Sequence, residues 1–500
     1  MKKLAIILAL AFLPFSVAPR PAHALFTIAS GIWEVEGVSG SDLNGCMWDA
    51  GSTGVDYSTA VRMNVDGVII TATNTSGTAA VTLTGYTVVP GDVGNVINVT
   101  GGINAVLGRA RVTAVNTGTN VWSIDHVITT AAGSVTGIFG GPCQTLQAAA
   151  TGYANNNKVF VKAESTYVIT SSITLAISGS SFPRNAWEGY NTVRGDGALL
   201  GGPTIQMSAS MSQPAVGINY TGRLISMRNF IIDCNNVATS TGLVINDGHE
   251  DYFDHIKTIN CTGNGIAAGA TGAAFNLSNS EVSGTTSAAS AGINVGSGAG
   301  DTLFQNSVHD NSCPGIIGAG GVTDLFLDNL VTNNTGDGIT LLDRATVVGN
   351  TIHGNTKNGI NWGAAPDLVF SKNNLITNNG LCGQTFNGAA TRAPALPYYD
   401  GNAYYENGGG NRCFMDDTTL QNAIGTYVNQ YDVQLATASA GGVSPYQNAS
   451  ANNYQLNGAL GGGGSLIHKG VPQGYPGNSG VAYPDFGAYQ SPATPRASAQ

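Results

Sequence analysis

Between roughly residue 240 and residue 380 the apolar positions come in short alternating stretches, separated by glycine, asparagine and threonine. Such alternation buries one side of a strand and leaves the other outside. The stretches also recur. Gly-Leu at Gly242 and Gly-Ile at Gly265, Gly292, Gly315, Gly338 and Gly359 follow one another at intervals of 23, 27, 23, 23 and 21 residues. Asn306, Asn329, Asn350 and Asn374 keep step with them, and so do Asn311, Asn334, Asn355 and Asn379, each four residues before a glycine. Set in register, DTLFQNSVHDNSCPGI, DLFLDNLVTNNTGDGI, ATVVGNTIHGNTKNGI and DLVFSKNNLITNNGLCG each read as three short strands and their turns. This period suits one coil of a β-helix and is too short for a tetratricopeptide-type helical hairpin or a propeller blade. Coils would hydrogen-bond at the ordinary interstrand spacing of about 4.8 Å. Each asparagine then stands on the last, where its amide donates, accepts and pairs the backbone groups of a buried bend. The glycine supplies an unusual φ or a close approach, and the isoleucine after it fills the core.

At this point the chain resembles the pectate-lyase-like β-helix superfamily, over roughly residues 141 to 490. Gly141-Pro142-Cys143-Gln144-Thr145-Leu146-Gln147-Ala148-Ala149, followed by Val159-Phe160-Val161-Lys162-Ala163, is similar to the family's opening, a short capping helix and a first strand. Many relatives continue with Gly-Thr-Tyr where this chain has Glu164-Ser165-Thr166-Tyr167. Asn402-Ala403-Tyr404-Tyr405-Glu406-Asn407 and Asp485-Phe486-Gly487-Ala488-Tyr489-Gln490 are similar to the family's terminal segments, and Ser465-Leu466-Ile467-His468-Lys469-Gly470 matches in part. The resemblance implies an all-β right-handed parallel β-helix of about ten coils over 141–425, closed by a β-rich segment over 426–490. It also implies a polysaccharide lying in a groove along one sheet, with catalytic side chains projecting from neighbouring coils.

Residues 25–140 lack the repeat; VGNVINVTGG and VWSIDHVITT alternate around turn residues, which predicts a small antiparallel β domain. Gly31-Ile32-Trp33-Glu34-Val35, with Asp56-Tyr57-Ser58, is similar to the start of phage and environmental β-helix proteins. Lys2, Lys3, the apolar run Leu4 to Ala18 and Ala22-His23-Ala24 read as a secretory signal peptide over 1–24. The expectation is therefore a secreted chain, extracellular or periplasmic, with no transmembrane segment once processed. The tail 491–500 is rich in Pro, Ser and Ala and reads as disordered.

Composition narrows the class. Charged residues make up 10% of the chain while 42% is hydrophobic, which excludes disorder, and helical periods are missing. A net charge of −10 argues against binding nucleic acid or anionic lipid. Cysteines number seven; Cys382 with Cys413 is the pair expected, and Cys46, Cys143, Cys234, Cys261 and Cys313 read as small buried apolar residues.

In so uncharged a chain the run Asp247 to Lys257 is conspicuous. His249, Glu250, Asp251, Asp254, His255 and Lys257 are the candidate catalytic residues, with Arg228 and Asp233 one coil earlier and Asp301, Gln305, His309 and Asp310 about two coils later. A uronide lyase needs a base, here His249, His255 or Lys257, and a cation to neutralise the sugar carboxylate, calcium being one choice. A glycoside hydrolase needs two carboxylates, one held protonated, for which Glu250, Asp251 and Asp254 are available. The rival reading is a non-catalytic surface, adhesion or fibre-like protein. In it Asp251, in register with Asp301, Asp324 and Asp367, caps a turn, and Asp254 and His255 point to opposite sides of a strand. Asp343-Arg344 reads as a surface ion pair, and His309 and His353, following inward Val308 and Ile352, as outward. Outward aromatics beside the cluster, for which Tyr252, Phe253 and Trp362 are available, would favour a sugar groove; Ser, Thr and Asn faces would favour a scaffold. Oligomeric state and metal ligands are not specified by any motif.

Overall fold

The computed structural model describes most of residues 31–467, together with Gly487; residues 1–30, 58–68, 388–400, 423–431, the rest beyond 467 and several shorter stretches lie outside it. The expected signal peptide and the 491–500 tail fall among the latter, as do Asp343 and Asp367.

Inward residues at every second position make each short stretch a strand, and strands of successive coils pair in parallel and in register. Three faces result, as a right-handed parallel β-helix requires. Coil 1 opens with Asn157–Lys162, coil 3 with Ile225–Asp233, coil 5 with Ala274–Ser278, coil 6 with Thr302–Phe304, coil 7 with Asp324–Leu327 and coil 9 with Val369–Lys372. In coil 4 the strand His249–Ile259 bends at His255, so that residues to Asp254 lie on face 1 and those from Ile256 on face 2, before Ile266–Ala268 on face 3. Face 3 is an 11-stranded sheet whose last strand, Thr419–Asn422, turns back antiparallel, which leaves ten parallel rungs from Ile173–Ala176 to Gly410–Asp416.

Two corners per coil are made by one residue each in the left-handed conformation. His255, Asn279, Gln305, Asp328, Gly349 and Asn373 form one column, with φ between 49° and 69°, and Asn260, Gly284, Asp310, Asn333, Gly354 and Asn378 the other. This region costs most side chains steric energy and is relieved for glycine, asparagine and aspartate. From Asn279 in the first column and Asp310 in the second, the residue after each corner is the ladder residue. Asn329 donates from Nδ2 to the Leu303 carbonyl one coil back and to Asn350 Oδ1 one coil on, both at 3.0 Å, while its Oδ1 accepts from Asn306 N and Nδ2 at 3.0 Å. Both expected asparagine series are ladders of this kind. The first begins at Ser280 and runs on through Asn402 to Asp432; the second continues to Asn407. Glycine before the inward isoleucine is required by close approach rather than by φ: a Cβ on Gly338 would stand 2.7 Å from the Gly359 carbonyl and 2.6 Å from Ile352.

The N-terminal segment divides. Residues 69–139 make a closed antiparallel six-stranded barrel, in which buried Asp92 accepts from Tyr86 Oη at 2.7 Å and Trp122 Nε1 at 2.8 Å. Gly31–Glu36 instead pairs in parallel with Asn157–Lys162 and extends face 1 by one rung below coil 1. The helix Leu146–Gly152 packs beside it, and together they cover the strand edge and apolar core of the first coil. Glu34, fully buried there, binds Arg194 and Tyr190, and Arg194 also reaches Asp56 at 2.9 Å and lies 4.3 Å over the Phe160 ring.

The cysteines differ from expectation. Cys46–Cys143 and Cys234–Cys261 are disulfides, spanning 97 and 27 residues, and only Cys313 is a free buried thiol among the described residues. Cys46 and Cys143 are brought together by the rung that Gly31–Glu36 adds, and Cys234 and Cys261 by coil stacking, neither of which local sequence displays. Cys382 is disulfide-bonded, as expected; the Cys413 side chain lies outside the description.

Asn329→Ala would orphan the Asn306 amide and the Leu303 carbonyl inside the stack. We expect a loss of about 3 kcal/mol in urea unfolding; a loss below a few tenths would mean that the ladder contributes nothing net.

Candidate functional site

Face 3 carries little chemistry on its outer side. Val244, Ala267, Asn294, Ile317, Thr340 and Asn361 succeed one another there in register. Charge gathers at the corner between faces 1 and 2.

On face 1 the outward column runs Glu188, Arg228, Asp254, Ser278. Glu188 binds Arg228 at 2.8 Å and Lys158 at 3.0 Å. Asp254 accepts from Ser278 Oγ at 2.7 Å and Asn279 Nδ2 at 2.8 Å through Oδ1, and holds His255 Nδ1 at 2.8 Å through Oδ2. Strict strand alternation predicts that Asp254 and His255 point to opposite sides. They do not, because His255 is the left-handed corner residue, φ 53°, and the turn carries its ring back toward its neighbour. Although partial burial opposes it, the bond from His255 and those from Asn279 and Ser278 hold the Asp254 carboxyl below the ordinary range. Asp254 in turn raises His255 above 6.5, against burial and the nearby Arg228.

On face 2, Lys257, Glu281 and Ser307 are in register, with His309 beside them. Glu281 Oε1 meets Lys257 Nζ at 2.9 Å and His309 Nε2 at 3.4 Å, and His309 Nδ1 meets Asp310 Oδ2 at 2.8 Å. His309 and Lys257 pull the Glu281 carboxyl down to about 2, and Glu281 with Asp310 raises His309. These side chains are partly exposed, so the pairs are screened and individually weak.

Of the residues proposed from sequence, Asp254 and His255 stand outside together, with Arg228 one coil back, and Lys257 stands outside on the next face, joined through Glu281 to His309 two coils on. Asp251 is fully buried, and its Oδ1 accepts from Ile225 N, one coil back, at 2.9 Å. Asp301 repeats this with Phe275 N at 3.0 Å, and Asp324 with Asp301 N at 3.2 Å. These aspartates bond across coils. Asp233 accepts from Gln206 and Asn260 at 2.9 and 3.0 Å, and Gln305 is a corner residue. The side chains of His249 and Glu250 lie outside the description. Of the aromatics, Phe253 and Trp362 are core residues, Trp362 donating to Gln384 at 2.9 Å, and Tyr252 lies on the outer side two residues before Asp254. His353 is outward in the sheet but covered, 5.2 and 5.1 Å from the rings of Tyr446 and Tyr454.

Glu188, Lys158 and Glu281 escape a search for dense local charge, because each stands alone in sequence. The signal that finds Glu281 is register, 24 residues after Lys257, one coil on.

Among the described residues no three His, Cys, Asp or Glu side chains converge on a point where a metal ion could sit. Asp254 and Glu281 turn their oxygens to His255, Ser278, Asn279, Lys257 and His309, a set that does not fit calcium, which takes about six to eight oxygens. Of the outward carboxyls at this corner, Asp254 and Glu281 are both shifted toward the ionised form. The raised carboxyls among the described residues, Glu34, Asp92 and Asp301, are all buried.

The family described as right-handed beta helix region matches residues 215–379 and 272–454. No curated protein matches the chain. Among solved structures, pectate lyase Pel9A is similar over 70% of this chain and 91% of its own, at 14% identity and a TM-score of 0.45. The A-module of the Azotobacter vinelandii mannuronan C-5 epimerase AlgE4 is similar over 56% and 86%, at 14% identity and a TM-score of 0.35. ORF18 of Geobacillus virus E2 is similar over 53% and 55%, at 11% identity and a TM-score of 0.28.

Asp254→Asn removes the main group that raises His255, so its ring titration, followed by NMR, should fall toward 6.5; an unmoved titration would mean that the pair does not form in solution. Burial lifts Asp301 from 3.8 to about 7. A carboxyl raised in the folded state costs stability as pH climbs from its unfolded to its folded value. Asp301→Asn keeps the acceptor for Phe275 N without the charge. It should resist urea better than the parent at pH 8 and equally at pH 4, and parity at both would show that Asp301 titrates normally.

Proposed function

We propose that this chain, which matches the right-handed beta helix family over residues 215–454, binds an acidic extracellular polysaccharide across coils 3 to 6 and cleaves it by β-elimination. The observation that carries this is that two charged clusters, Arg228 and His255 with Glu188 and Asp254 on face 1 and Lys257 and His309 with Glu281 on face 2, flank one corner of a chain with only 10% charged residues.

In the reaction, Arg228 and Lys257 face the uronate carboxylate and reduce the charge that opposes removal of the adjacent ring proton. His255, aligned by Asp254, takes that proton. The electron pair left on carbon forms the ring double bond as the glycosidic oxygen departs with its chain and gains a proton from water. Asp254 is a positioning residue here and His255 the base. Because Asp254 raises His255, the base is free only above the ordinary histidine range, and activity should climb on the alkaline side. Hydrolysis is less well supported, since the protonated carboxyl it requires is not found at this corner among the described residues. The disulfides Cys46–Cys143 and Cys234–Cys261 persist in oxidising compartments, which supports export.

A second reading has its own observation. Lys257, Arg228 and His309 each already face a carboxylate, and an ion ladder of this kind also solvates a non-catalytic scaffold.

The test is incubation of the purified mature protein with alginate, polygalacturonate and neutral polymers, following absorbance at 235 nm and reducing ends. We expect an ultraviolet gain on an acidic polymer, rising with pH through the His255 titration, unaffected by chelator, and reduced at least tenfold by His255→Ala with the unfolding midpoint unchanged. Reducing ends without ultraviolet gain would make it a hydrolase; silence on every polymer would favour the scaffold; loss of activity with chelator would place a metal in the site.

A further inference from the structure

We infer that the C-terminal segment 433–467 closes the outer side of face 2 at coil 7, so that the proposed site reads the end of a polysaccharide chain rather than its middle. The inference rests on the polymer reading above and on a polymer lying along the stack.

The outward positions of face 2 change abruptly at this point. Through coils 3 to 6 the positions Asp233, Ile259, Ser283 and His309 are partly exposed. At coil 7 the position next to His309 is Thr332, 2% exposed, and two coils further Thr377 is fully buried. In the parallel column Thr351 and Leu375 are each 1% exposed. What covers them is the chain's own continuation. Val433–Gln434 adds a further face 2 rung, and the hairpin Tyr446–Asn448 with Asn453–Leu456 then lies against the sheet. Tyr446, Tyr454, Leu456 and Leu466 bury Leu375 and Ala403, with Leu330 at the cover's margin. The cover is bonded as well as packed: Thr377 Oγ1 lies 2.7 Å from Tyr446 Oη and 2.8 Å from His353 Nδ1. Beyond the hairpin, Gly487 N donates to the Asn373 carbonyl at 2.9 Å, and a Cβ there would meet Thr351 Oγ1 at 2.6 Å, so Gly487 lies against the corner.

Among the described residues the opposite direction is not covered: Ile231 and Thr204 are partly exposed and, in the neighbouring column at coil 1, Val168 is 59% exposed. From Lys257 the cover begins three rungs on, about 14 Å at the interstrand spacing. A polymer with Arg228 and Lys257 on its carboxylates and lying over face 2 therefore has room for only a few sugars on one side and none beyond Thr332.

A reader of chain ends binds in proportion to the number of ends, a reader of chain interiors in proportion to mass. The deciding experiment titrates the full mature protein with alginate and polygalacturonate fractions of two lengths, the longer tenfold the shorter, at equal sugar mass. The mass-based dissociation constant should be about tenfold weaker for the longer fraction, and masking one chain end by reductive amination or its counterpart should abolish binding. Equal constants per unit mass would overturn the inference while leaving the polysaccharide reading intact; absence of binding to both polymers at both lengths would overturn both. The double variant Tyr446→Ala, Tyr454→Ala, which loosens the cover, should narrow the tenfold ratio, and if it does not fold the unmodified protein decides alone.

Discussion

Each coil turns two corners at which a backbone amide points into the stack, and the rest of the structure depends on how that amide is paired. The answer is a left-handed corner residue followed by a side chain that serves the coil before it and the coil after it. Asparagine suits the second role because one amide group donates twice and accepts twice. Where the ladder begins, Ser280 takes the role for Ile256 N, and where it ends Asp432 does. The corner column ahead of it tolerates glycine, asparagine, aspartate and glutamine, and at coil 4 it holds His255. The same turn that lets the coil close brings the His255 ring onto the Asp254 carboxylate. Architecture and candidate chemistry are thus one geometric feature.

Two classes of carboxylate follow from the same frame. Those at the inward opening of face 1, Asp251, Asp301 and Asp324, accept from backbone amides one coil away and are shut off from water, which for Asp301 makes the neutral form favourable. Those outside, Asp254 and Glu281, face cations and stay ionised. Residues close together in the chain, such as Asp251 and Asp254, fall into opposite classes because three positions along a strand reverse the side to which a side chain points.

The ends of the stack are handled by segments from outside the repeat. At one end Gly31–Glu36 supplies an extra rung, tied by the Cys46–Cys143 disulfide and by Glu34 bound to Arg194. At the other the C-terminal hairpin lies over face 2 instead of only blocking the core. Open strand edges invite association with other chains, and the rung of Gly31–Glu36 pairs the edge that the first strand of face 1 would otherwise present. The hairpin shapes the surface, because it divides face 2 into an open half carrying the charged corner and a covered half carrying His353.

The period of glycine and asparagine determined by itself that this chain forms a β-helix between roughly residues 240 and 380, and it located both ladders, since stacking forces identical residues into one column and so writes itself as a spacing. It also marked the stretch around Asp254, His255 and Lys257, because charge is scarce elsewhere. Tertiary structure alone decided which members of that stretch meet. The burial of Asp251, the joining of Asp254 to His255 and the arrival of Glu281 between Lys257 and His309 depend on corner dihedrals and on register between coils of 21 to 27 residues, so that Glu281 is found by counting only once Lys257 has been placed on its coil. The disulfides of Cys46 and Cys234, and the cover over His353, join segments distant in sequence through rungs that no local pattern announces. Local periodicity reports how a coil repeats; contacts across coils depend on loop lengths and end segments that lie outside the period.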